Sequence, residues 1–145
     1  MKARRGFTLL EILIIVIIIG TLAAIVIPHF SGASTKARLA NLGDSLDKVR
    51  GQIEYYKFQH DNLLPALSGE TGADFVRRMT TQTNAAGDTG SDFGPYLQTI
   101  PKNVFNDLNT IRIDGAPAGS NINGWRFNTA TGTFQADDSA DHAEM

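Results

Sequence analysis

The sequence predicts an α+β chain: a long N-terminal helix, hydrophobic and then amphipathic, packed against a small C-terminal antiparallel β-sheet. Three observations carry that prediction. Residues 7–27 form an apolar run of 21 residues interrupted by one ionisable side chain, Glu11. Leu39, Leu42, Leu46, Val49, Ile53 and Tyr56 then recur at gaps of 3, 4, 3, 4 and 3, which is one face of a helix. Beyond residue 60 the pattern changes to turn residues and short alternating segments, the signature of strands and loops.

The apolar run is long enough to cross a membrane. At ~1.5 Å per residue a helix of that length spans roughly 30 Å, the thickness of a bilayer's hydrocarbon core. Ile12 to Ile19 contains only Ile, Leu and Val, so the segment is apolar all round and would need a core on every side in water. A chain of 145 residues has little left to supply one. Lys2, Arg4 and Arg5 precede the run, and the next Lys or Arg is Lys36. That asymmetry predicts a cytoplasmic N-terminus and an exported body.

Glu11 stands out. A carboxylate in a membrane costs ~2.5–3.5 kcal/mol on insertion scales, so it calls for a partner or a function. No Lys, Arg or His follows within a helical turn. Glu11 can lie at headgroup depth, pair with Arg5, or pair with a free α-amino group on Phe7 if the chain is cut after Gly6. A secretory signal peptide would also begin with basic residues, and Leu22-Ala23-Ala24 imitates its cleavage site. The length of the apolar run and the acid within it argue against that reading.

Arg4-Arg5-Gly6-Phe7-Thr8-Leu9-Leu10-Glu11 resembles the prepilin leader of type IV pilins and type II secretion pseudopilins. The resemblance covers about the first 35 residues and implies a pilin-like fold. It implies that Gly6 is the last leader residue, cut on its C-terminal side by a prepilin peptidase, and that Phe7 becomes an N-methylated terminus. It implies that Glu11 pairs with the Phe7 amine of an adjacent subunit during filament assembly. A looser likeness, over Gly94 to Asn103, is to the major pseudopilin type, general secretion pathway protein G. The usual Asp-Pro-Trp-Gly that follows there is Asn103-Val104-Phe105-Asn106 here. By resemblance the chain is a non-enzymatic subunit of a type II secretion pseudopilus supporting protein export. Its implied partners are further copies of itself, the prepilin peptidase, an inner-membrane assembly platform, minor pseudopilins and membrane lipid. It is placed in the inner membrane as a single pass with a periplasmic head, and in the pseudopilus after assembly. A type IV pilus subunit for adhesion, motility or DNA uptake is the alternative, and a monomeric anchored protein with a ligand-binding head is a third reading.

The expected divisions are a leader at 1–6, a transmembrane and polymerisation helix at 7–28, an amphipathic extension at 29–59 and an α+β head at 60–145. The chain has no Cys, which excludes disulfides and thiolate metal sites. From residue 60 onward five basic side chains face eleven acidic ones, so nucleic acid is not expected as a partner.

Gly20 and Pro28 bracket a weak stretch of helix, because Gly lowers helix propensity and Pro removes a hydrogen bond. A continuous helix bent near Pro28 is expected in isolation. Similar pilins are thought to unwind between these positions in a filament, which makes Gly20 and Pro28 the expected hinge. Residues 60–72 read as a turn-rich connection. A helix is expected from Ala73 to about Thr83, with Phe75, Val76 and Met79 inward and Arg77 and Arg78 outward in solvent. Residues 84–92 read as a mobile loop, and 94–103 as an extended packed segment. A strand follows at 110–114. A hairpin over 124–136 turns at Thr129-Ala130-Thr131-Gly132 and places Trp125 in the core. The last nine residues read as a frayed acidic tail.

The sequence holds no Ser-His-Asp arrangement and no phosphate-cradling Gly loop, and His29, His60 and His142 share no ligand spacing. Asp137, Asp138, Asp141 and Glu144 offer hard oxygen ligands of the kind Ca²⁺ takes. By resemblance, major pseudopilins use C-terminal acidic residues for calcium, so calcium is the one candidate cofactor, set against a solvated acidic tail that binds none.

Overall fold

A computed structural model describes residues 7–145, with the backbone alone at 27–32. The elements in order are α1 (Leu9–Gln59), α2 (Gly72–Thr80), β1 (Ile111–Ile113), β2 (Trp125–Asn128), β3 (Thr133–Ala136) and α3 (Ala140–Ala143). The chain divides into two compact units, residues 1–37 and 38–145. Gly6 and the rest of the leader lie outside the described residues.

In the first unit α1 starts at Leu9, and the Thr8 hydroxyl accepts from the backbone N–H of Glu11 at 3.2 Å. Thr8 therefore serves as the N-cap, and Glu11 occupies the third helical position, where a negative charge meets the positive end of the helix dipole. The backbone is helical through both Gly20 and Pro28.

The second unit is built around the later part of α1. Leu42, Leu46, Val49, Ile53 and Tyr56 are at most 2% exposed, as the spacing predicts. Their core partners are Phe75 and Met79 of α2, Tyr96, Leu97 and Ile100 of the extended segment, and Trp125, Phe127 and Phe134 of the sheet. Phe134 stacks on both Trp125 and Phe75, with ring centroids 5.3 and 5.9 Å apart.

The sheet order is β1-β2-β3. β2 and β3 form the expected antiparallel hairpin, closed by a turn with Gly132 at φ 71°. β1, however, runs parallel to β2, with Ile111 opposite Trp125. The expected all-antiparallel sheet is therefore a mixed one. No tight turn joins β1 to β2; residues 114–124 carry the chain back across, which permits the parallel direction.

α2 starts one residue before the expected helix and ends at Thr80. Asp74 accepts from both the backbone N–H (3.0 Å) and the hydroxyl (2.8 Å) of Thr71, fixing its first turn. Gly72 is required there, since a Cβ would stand 2.0 Å from the carbonyl oxygen of Ile111.

Three expectations are corrected. Arg78 does not point into solvent: it is 7% exposed, ion-paired to Glu70, and donates to the carbonyls of Gly87 (3.1 Å) and Pro65 (3.3 Å). Residues 84–92 are not a free loop. Thr83 bridges to Thr89 and Phe93, and the Asn84 side chain accepts from the backbone of Ala86 and Asp88. The C-terminal residues do not fray. Asp137 is fully buried, Ser139 caps α3, and Arg50 of α1 donates to the backbone oxygens of Phe134 (3.0 Å) and Met145 (2.7 Å).

Candidate assembly site

The first unit offers an uncovered apolar surface. Leu9–Val26 has a mean hydropathy of 3.0 and no buried residue, and is long and apolar enough to cross a membrane. Side chains from Ile12 to Ile19 are between 41% and 61% exposed on every face. At its start Phe7 is exposed, and Glu11 forms no ion pair among the described residues. The local environment of Glu11 is thus its helix N-terminus, which moderates the cost of the charge without neutralising it. The Thr8-to-Glu11 spacing is a helix-start signal that the sequence reading overlooked.

In the second unit two of the acidic residues expected to hold calcium, Asp137 and Asp138, have other occupations. The Asp137 carboxylate accepts from Nε (3.2 Å) and Nη2 (2.8 Å) of Arg112, from the backbone N–H of Gly119 (2.9 Å) and Ser120 (3.3 Å), and from the Ser120 hydroxyl (2.9 Å). Burial acts to raise its pKa. The hydrogen bonds from Arg112, Ser120 and Gly119 outweigh burial and hold it below the ordinary 3.8. Asp138 accepts from the Asn103 amide (2.6 Å) and lies 2.5 Å from Nδ1 of His142, while Asp141 is exposed. Among the described residues, no group of three His, Cys, Asp or Glu side chains could hold a metal ion. Asp137 does not fit as a calcium ligand. Five donors occupy its oxygens, and Arg112 already supplies the positive charge a metal would bring.

Asn103 is a position whose role the sequence did not reveal. It is fully buried and ties three segments together. Its amide donates to the Gly124 carbonyl (3.0 Å) and to Asp138, and its side-chain oxygen accepts from Phe105 N–H. Its backbone N–H donates to Leu108. The family likeness marked this place only as a departure. The buried amide explains the identity, because every polar group of Asn is used.

Residues 1–27 match the family model described as the prokaryotic N-terminal methylation motif. The chain is 37% identical to type II secretion system core protein G of Klebsiella pneumoniae, over 41% of this chain and 43% of that one. It is 32% identical to the protein of the same name from Dickeya chrysanthemi, over 55% and 51%. The match to the same protein of Aeromonas hydrophila is 29% identical and reaches 70% of this chain and 69% of that one. These matches support a type II pseudopilin. The chain spans about half the length of the first two relatives, or less. No solved structure matches. The mixed sheet behind a long N-terminal helix is consistent with an α+β pilin-like fold. The methylation motif and the uncovered apolar helix together suggest a membrane anchor and processing by a prepilin peptidase.

Proposed function

We propose that the chain is a structural subunit, cut after Gly6, methylated at Phe7, and polymerised through its N-terminal helix into a type II secretion pseudopilus that supports protein export. The observation that carries this reading is Glu11: a carboxylate on an apolar helix, one turn from Phe7, with no cationic partner among the described residues. The free amine of Phe7 on an adjacent copy is a compact cation that would complete it. Apolar side chains exposed on all faces of residues 9–26 would be covered first by lipid and then by neighbouring helices.

In this reading the N-terminus is cytoplasmic and the head periplasmic, with the unassembled subunit held in the inner membrane. Its partners are further copies, the peptidase, the inner-membrane assembly platform and minor pseudopilins. Gly20 and Pro28 act as the hinge, with unwinding confined to the filament. No catalytic role is assigned.

Glu11→Ala tests the proposal in the native host. Membrane insertion and head folding should persist while filament growth stops. Filaments of normal length and number from this variant would remove the amine–carboxylate pair from the account.

A further inference from the structure

Two neighbouring arginines of the head sheet differ in how their charge is met. Arg112 of β1 and Arg126 of β2 are register partners, so their side chains stand side by side on the sheet face opposite Trp125 and Phe127. Arg112 has its carboxylate, Asp137. Arg126, only 8% exposed, forms no ion pair among the described residues. Its Nη1 donates to Gln135 (3.1 Å) and its Nη2 to the Gly115 carbonyl (3.4 Å), both neutral acceptors. Its Nε–H is buried without any acceptor. A guanidinium cannot shed its proton, so its charge must be met where it lies. Asp114 feels that charge, but its carboxylate is engaged by the backbone N–H and the hydroxyl of Thr129 and forms no ion pair with Arg126.

Arg126 also lines a cavity of about 480 Å³. Gly115, Pro117 and Ala118 form one wall, Ala140 and Ala143 of α3 another, and Gln135 and Glu144 complete it. The walls are small side chains, which leave room for a group of carboxylate or sulfate size beside the guanidinium. Glu144 borders the same space without pairing to Arg126.

We propose that this cavity is an oxyanion-binding site in which Arg126 receives a carboxylate or similarly shaped anion supplied from outside the subunit. The planar fork of Arg suits two-point recognition of such groups. The source is either a free anion or an acidic side chain of a second copy, whose head carries an excess of exposed acids. The site does not depend on the assembly reading, since Arg126 and the cavity lie wholly within the second unit.

The test uses the full chain in detergent, with thermal unfolding followed against sulfate or acetate, and chloride added to hold ionic strength constant. The unfolding temperature should climb with the logarithm of sulfate concentration above the binding constant, as for a ligand held by the folded state alone. Arg126→Gln should abolish the climb. Should that variant fail to fold, Ala140→Leu fills the cavity while keeping Arg126, and should abolish it as well. A climb that weakens as protein concentration and self-association rise assigns the anion to a second copy. A climb independent of protein concentration assigns it to a free anion. The absence of a climb in the natural chain, or an equal climb in Arg126→Gln, overturns the proposal. So does a climb seen only in Glu144→Gln, which would make Glu144 the counter-ion.

Discussion

α1 contains two stretches of similar length that solve opposite problems. Residues 9–26 are apolar on every face, and among the described residues none of them is buried. Residues 42–56 are apolar on one stripe, and that stripe is buried by the head. The contrast separates two uses of hydrophobic surface. A one-sided stripe is completed by the chain's own fold, whereas an all-round apolar helix needs lipid or other copies of itself. Substitutions in the first stretch should therefore act on assembly and membrane insertion, and those in the second on folding.

The sharpest way to break this comparison is at the charge that closes the head. Arg112→Met strands Asp137 without a cation and should cost about 3–5 kcal/mol, read as a lower unfolding midpoint in denaturant. Leu46→Ala should cost about 2–5 kcal/mol in the same measurement, whereas Ile15→Ala should leave it unchanged. Equal losses from the two truncations would erase the distinction between the stretches. Gly72→Ala forces α2 away from the Ile111 carbonyl and should cost about 1–3 kcal/mol.

Titration gives the smallest and most local effects. The folded pKa of Asp137 lies below its ordinary 3.8, so its contribution is complete above that value and is lost as pH falls through the lower folded value. Asp137→Asn should remove that part of the acid dependence. Burial pushes Tyr96 from 10.0 up to about 12. Its contribution is complete below pH 10 and should fade as pH rises from there toward 12, a dependence that Tyr96→Phe should abolish.

The helical stripe, the extended segment at 94–103 and the hairpin were legible because each rests on local periodicity or turn chemistry. The parallel placement of β1 was not, since direction depends on where the 114–124 connection travels. Arg78 and Asp137 looked solvated because both are charged and each adjoins a second charged residue, Arg77 and Asp138. Their partners, Glu70 and Arg112, lie 8 and 25 residues away, a separation that no short-range pattern encodes. Glu11 stood out as the one charge within the apolar run, whereas the roles of Phe7 and Glu11 in processing and assembly are what the resemblance to the prepilin leader implies. The cavity beside Arg126 was invisible, because Arg126 simply alternates with Trp125 and Phe127 as an outward strand residue would.

The most direct test of the assembly account is the intact mass of the protein recovered from its native membrane. The account predicts a chain that begins at Phe7 and carries one added methyl group. A mass that retains Met1 to Gly6, with an unmodified Phe7, would contradict it.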